Sequence, residues 1–364
     1  MGFTLIKATH IDFVGQRHKA YVLSAIFLIG AFILMAFGGG PRMGIDFAGG
    51  VIVQVQFQHP VDDEALKRSL DVEHLPGLST QRFGEGGRDY LLRFSTVDIS
   101  AQELRDNVLG VLKTAFPDNA VEIARLEMVG PKVGADLAQK AMEALYYAVL
   151  LIAVYISGRF EQRWLAAAIM AAALWGGVYA VSLFGVGTGG LAFVALGIAI
   201  VVSWRLKLNF ALGAVVGLLH DVFITLGILT VLGKEIDLNV VAALLTLAGY
   251  SLNDTVIVYD RIRENLRREP SHELSVIIND SINQTLSRTL LTSGTTFVAV
   301  LSLFLLGGGV IHDFALTMLI GVVIGTLSSI YVSSPILLAL GTTSQYVHAQ
   351  RRERYERPGE HGIV

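Results

Sequence analysis

Leu238 to Tyr259 reads LNVVAALLTLAGYSLNDTVIVY. A helix that crosses a bilayer needs about 20 mostly apolar residues, and this run is long enough. Its one charge, Asp254, sits inside it. An ionisable residue at membrane depth costs about 2.5–3.5 kcal/mol on insertion scales and marks a functional site by default. Outward from this run the pattern repeats, at about 140–157, 164–184, 190–204, 208–232, 285–306 and 314–340, with 190–204 the shortest. One more run, Ala20 to Phe37, follows Lys7, Arg17 and Lys19 and stops at Gly38-Gly39-Gly40-Pro41. It is longer than the apolar core of a signal peptide, and no small-x-small cleavage site follows, so it reads as a retained anchor. Eight spans are predicted.

The composition agrees. Of 364 residues, 53% are apolar and 16% charged, where soluble domains average about 25% charged. That excludes a soluble enzyme. The chain has 38 Gly, which suits close packing of membrane helices, and no Cys. Disulfide scaffolds, thiolate metal sites and Cys nucleophiles are therefore out. A net charge of −3 gives nucleic acid no purchase.

Charge placement orients the spans. Arg159/Arg163, Arg205/Lys207 and Arg261 to Arg268 lie in one set of connections, with the N-terminus and Arg351-Arg352-Glu353-Arg354. The opposite set, 185–189, 233–237 and 307–313, holds only Lys234 as a basic residue. The positive-inside rule makes both termini cytoplasmic. The alternation works for eight spans, or for six, but not for seven.

The polar stretch 39–139 is then extracytoplasmic. Val51 to Phe57 alternates as a half-buried strand, and Asp62 to Asp71 reads as a helix. Ser79 to Phe83 and Asp89 to Phe94 form a hairpin around Gly84-Glu85-Gly86-Gly87. Ser100 with Glu103 opens a second helix by a capping box, which ends before Pro117. Val121 to Met128 is the last strand. The order βαββαβ predicts a ferredoxin-like domain, with no metal-ligand spacing in it. The predicted organisation is a cytoplasmic N-terminus at 1–19, a first span at 20–38, this domain at 39–139, a bundle at 140–340 and a cytoplasmic tail at 341–364.

Three charges fall inside the bundle. Asp254 lies roughly 7–8 Å inside the cytoplasmic end of its span at 1.5 Å per residue, Arg288 roughly 5 Å, and Asp221 roughly 18 Å. Asp254 and Arg288 are thus expected to meet, carboxylate against cation, and Asp221 to sit about 10 Å from Asp254 in depth. Beside Asn253, Ser251, Thr255 and Thr225 they form a candidate proton relay. The bland alternative is a buried ion pair that only fixes packing. His220, next to Asp221, reads as a satisfied core residue. Asp260 and Arg261 read as a solvated helix end, and Gly44-Ile45-Asp46-Phe47-Ala48-Gly49-Gly50 as a turn entering a strand, where Gly permits positive φ.

Three strings together resemble the SecF family of the bacterial protein-export machinery: GIDFAGG at 44–50, GYSLNDTVIVYDRIREN at 249–265 and SRTLLTSGTT at 287–296. FALGAVVGLLHDVFITLG at 210–227 and the run Met318 to Ser334 support them. The resemblance spans nearly the whole chain. It implies half of an RND-type transporter, without enzymatic chemistry or cofactor, in the bacterial inner membrane. It implies SecD and the SecYEG channel as partners, a translocating polypeptide as cargo and protons as coupling ion. By position it makes Asp254 and Arg288 proton-pathway residues, with Asn253 beside them, places Asp221 in an HD pair, and makes Gly44, Asp46, Gly49, Gly50, Asp260 and Arg261 motif residues. About 45 residues, from about 160 to 208, interrupt the family pattern and read as an added hairpin.

Three other readings are weaker. A different RND-type exporter usually carries both halves in one chain. An intramembrane aspartyl protease needs its two carboxyls together and a GxGD turn, and neither is expected here. A purely structural subunit would leave the membrane charges without a task.

Overall fold

The computed structural model describes residues 9–71, 78–83, 86–95, 100–161, 164–183, 188–269 and 272–341. The chain opens with the helix α1 (Arg17–Phe37), the strand β1 (Arg42–Met43) and a one-turn helix α2 (Ile45–Ala48). A soluble unit follows: β2 (Gly50–Phe57), α3 (Asp63–Asp71), β3 (Ser79–Phe83), β4 (Asp89–Phe94), α4 (Ala101–Ala115) and β5 (Val121–Val129). The bundle comprises α5 (Pro131–Glu161), α6 (Trp164–Ser182), α7 (Thr188–Arg205), α8 (Asn209–Val231), the short strand β6 (Glu235–Ile236), α9 (Leu238–Arg268), α10 (Leu274–Leu306) and α11 (Gly308–Ser328). A π turn over Ser329–Ser333 and α12 (Ile336–Ala339) close it.

The soluble unit has the predicted βαββαβ order. Its antiparallel sheet runs β3-β4-β2-β5. Alternation decides its buried face: Val51, Val53, Val55 and Phe57 of β2 point one way, against Leu66 and Leu70 of α3 and Leu104, Val108 and Leu112 of α4. The last three recur every fourth residue, as one helix face requires. The capping box forms, with the Ser100 hydroxyl accepting from the Glu103 N–H at 3.2 Å. Tyr90 is fully buried, and its hydroxyl donates to the Val61 carbonyl.

Seven helical stretches among the described residues are long and apolar enough to cross a membrane. They are Arg17–Phe37, Pro131–Phe160, Trp164–Val181, Asn209–Val231, Leu238–Arg268, Leu274–Leu306 and Ile311–Ala339. The expected eighth corresponds to α7, whose part Val194–Arg205 is a shorter apolar helix. The loop 185–189 lies partly outside the described residues, and residues 1–8, the Gly84-Glu85 tip and the basic tail lie outside them. Several helices outrun their predicted limits. The expected start near 140 lies inside α5, which begins at Pro131; α9 continues to Arg268; α10 begins at Leu274. A helix that projects past a bilayer carries polar residues there, and hydropathy registers only its immersed part.

The bundle packs tightly where glycines permit it. A Cβ on Gly217 would lie 1.9 Å from Ser333 Oγ, and one on Gly321 2.5 Å from a Leu247 methyl. Phe160, Phe210 and Tyr259 meet with ring centroids 5.2–6.0 Å apart. The Tyr259 hydroxyl donates to the Ser333 carbonyl in the π turn at 2.7 Å. The α6–α7 pair joins this core through Met170, Leu174, Ala195 and Ala199.

Candidate functional site

Two buried carboxylates sit where α8, α9, α10 and α11 converge. Asp221 on α8 has no exposed surface. Its Oδ2 accepts from Ser251 Oγ of α9 at 2.5 Å and from Ser328 Oγ of α11 at 2.8 Å. Its Oδ1 lies 2.9 Å from His220 Nδ1, and His220 Nε2 lies 3.0 Å from Ser24 Oγ of α1. Gly325 admits this approach, since a Cβ there would lie 3.1 Å from Ser251 Cβ and 3.5 Å from Asp221 Oδ2.

Asp254 on α9 is 1% exposed. It accepts from Ser293 Oγ at 3.0 Å and Thr292 Oγ1 at 3.4 Å, both on α10. Thr326 of α11 donates to Ser293 Oγ at 2.8 Å. Ser251 and Asp254 are one turn apart on α9, about 4.5 Å along the axis. The expected 10 Å separation in depth is therefore corrected: it was measured from helix ends that the structure places farther out.

Arg288 is exposed and does not form the expected ion pair with Asp254, whose hydrogen bonds come from hydroxyls. Depth fixes height along a helix but not rotation about it. Arg288 is about 140° round α10 from Ser293 but only about 40° from Thr292, so it stays beside the site without a direct bond, and its charge still acts on Asp254 through space. Asn253 is likewise exposed, outside the hydroxyl cluster. Asp260 pairs with Arg159 at 3.3 Å and Arg261 with Glu264 at 2.8 Å, all partly exposed. Such pairs contribute about 0–1 kcal/mol, as a solvated helix end would.

What the sequence reading missed is the hydroxyl shell: Ser24, Thr292, Ser293, Thr326 and Ser328, with His220 as a bonded partner. A polar group in an apolar interior must find a hydrogen bond, so each Ser or Thr inside an apolar run near an acid was the available signal. A hydroxyl both donates and accepts. A carboxylate ringed by hydroxyls can therefore take up a proton and pass it on without water at every step.

The GIDFAGG segment lies at the other end of α9. It enters the strand β2 at Gly50 as expected, but through the one-turn helix α2 rather than a turn. β1 pairs in parallel with β6, and the Gly44 N–H donates to the Ile236 carbonyl at 2.9 Å. Asp46 Oδ2 accepts from the Leu238 N–H at 3.0 Å. Gly49 and Gly50 have φ of +73° and +135°, which favours glycine. Beside Gly44, burial raises the pKa of Asp237 above the ordinary carboxylate range, against the pull of hydrogen bonds from the Val240 N–H and Asn239.

The family profile described as "Protein export membrane protein SecD/SecF, C-terminal" matches residues 110–186 and 174–343. That described as "SecD/SecF GG Motif" matches residues 36–61. A "Protein translocase subunit SecF" from Magnetococcus marinus is 42% identical over 343 residues, covering 93% of this chain and 95% of its own. Another from Vibrio alginolyticus is 36% identical over 354 residues, covering 97% of each. The crystal structure of SecDF, a translocon-associated membrane protein from Thermus thermophilus, superposes with a TM-score of 0.64 at 28% identity. That match covers 95% of this chain but 40% of the SecDF chain, so this chain spans about two fifths of it.

Proposed function

The chain belongs to the SecF family of protein translocase subunits, and from that membership we propose that it couples the proton-motive force to late steps of polypeptide translocation. It does so in the bacterial inner membrane, paired with SecD and working on the SecYEG channel. The observation that carries the coupling is Asp254: a carboxylate at 1% exposure, inside a bundle, bonded only by hydroxyls among the described residues. Asp221 extends the pathway one turn away. Arg288, exposed on α10, acts on the Asp254 carboxylate through space and is read as its partner in the pathway. Reconstituted with SecD and SecYEG in vesicles, the chain should raise export when a proton gradient is imposed, and a protonophore should erase the rise. A rise that survives the protonophore would sink this reading.

The soluble unit is read as a ferredoxin-like domain outside the cytoplasm, with both termini inside. α7 then completes an eighth crossing, and α6 with α7 is the hairpin added to the family pattern at about 160–208. The basic residues on one side of every even crossing support this count. Gly187→Cys, in a chain with no other Cys, should react with an impermeant thiol reagent from outside. Reaction from the cytoplasmic side alone would remove the added hairpin from the membrane.

A further inference from the structure

The GIDFAGG segment has no part in the proton step, yet it holds the first turn of the helix that carries Asp254. An α-helix leaves its first four N–H groups without intrahelical partners. α9 fills part of this need from its own N-cap, Asp237, whose Oδ1 accepts from the Val240 N–H at 2.8 Å. A further bond comes from outside the helix: Asp46 takes the Leu238 N–H at 3.0 Å, across 192 residues of sequence. A carboxylate bonded to an N-terminal amide is favoured by charge as well as geometry.

The same short segment grips the soluble sheet. A Cβ on Gly49 would lie 3.1 Å from Pro131 Cα, and one on Gly50 3.0 Å from the Phe94 carbonyl oxygen. Gly49 is pressed against the start of α5, and Gly50 against β4. Arg93 of β4 pairs with Glu235 of β6, the strand that leads directly into α9. The soluble unit and α9 therefore share a joint, crossed by the Arg93–Glu235 pair and by Asp46, of which Asp46 is the one bonded to α9 itself.

We propose that Asp46 is a positioning residue that couples displacement of the soluble unit to α9, and so to Asp254. Asp254 lies sixteen residues farther along the helix, about 24 Å. The proposal rests on the reading of Asp254 as the coupling residue. A mere cap would stabilise the chain without transmitting anything.

Spin labels at Gln58→Cys, exposed at the end of β2, and Ala242→Cys, exposed on α9, report the joint in the full chain assembled with SecD. Asp46→Ala removes the acceptor. Leu238→Pro removes the donated N–H at a position where a helix tolerates Pro, and Leu238→Ala, which keeps the N–H, controls for the lost side chain. Asp46→Ala and Leu238→Pro should each broaden the label distance distribution and cut gradient-driven export by at least about threefold, the weight of one hydrogen bond. The double variant should be no worse than either single one, since both delete the same bond. Asp46→Asn keeps an acceptor oxygen and should keep the narrow distribution. The proposal fails if the distribution stays narrow in both single variants, if it broadens with export stimulation intact, if the two losses add, or if Asp46→Asn loosens the joint. Should Asp46→Ala not fold, Leu238→Pro decides alone. Asp254→Asn, run in parallel, separates the two ideas: full stimulation there removes the proton reading, while the label distances still decide the joint.

Discussion

Asp254→Asn should abolish the stimulation of export by a proton gradient while the chain still folds and still binds SecD. Asparagine has nearly the shape of aspartate, and its amide oxygen can still accept from a Ser293 or Thr292 hydroxyl. It cannot bind and release a proton near neutral pH. Export in reconstituted vesicles should fall to the level seen without a gradient, a loss of the whole gradient-dependent part. Arg288→Lys should lose only some of it, because a point charge replaces a planar fork. Full gradient-dependent export by Asp254→Asn would leave the buried carboxylate with a packing role only.

The second large effect is expected at a glycine. Gly217 of α8 meets the π turn so closely that a Cβ would overlap Ser333 Oγ at 1.9 Å. Ser333 is itself buried, and its carbonyl is held by Tyr259, so it has no room to retreat. Gly217→Val should cost at least about 1–3 kcal/mol by overpacking and lower the thermal midpoint of the purified chain sharply. Gly249 of α9 has nothing within 4 Å of its would-be Cβ. Gly249→Ala should be neutral or stabilise by up to about 1 kcal/mol through helix propensity. Equal melting of the Gly217→Val chain and its parent would mean that α8 and the π turn are not packed as described.

The soluble unit was legible because its signals are local. Val51 to Phe57 alternates, Ser100 sits three residues before Glu103, and glycines punctuate the hairpin. The membrane helices were legible as spans but not in their ends, since residues 131–139 and 260–268 are helical and polar at once. The site was half legible. A lone acid in an apolar run announces Asp254 and Asp221, but their hydroxyl partners are scattered over α9, α10 and α11. Which of those face inward depends on helix rotation, and no periodicity in runs this uniformly apolar fixes it. Asp46 was visible as part of a motif, but its partner is a backbone amide 192 residues away, which has no sequence signature.

The soluble unit leaves the bundle and returns to it at nearly one point. A Cβ on Gly134 would lie 3.0 Å from the Gly49 backbone nitrogen, and one on Gly49 3.1 Å from Pro131 Cα. Residues 50 to 130 thus form a loop with its two stems touching, the geometry that tolerates domain insertion. A unit joined this way is exchangeable: another compact domain with adjacent ends could be grafted between Gly49 and Pro131 without altering the spacing of α1 and α5. The inserted part of such a protein is free to diversify at a pace of its own, while the helices it joins keep theirs.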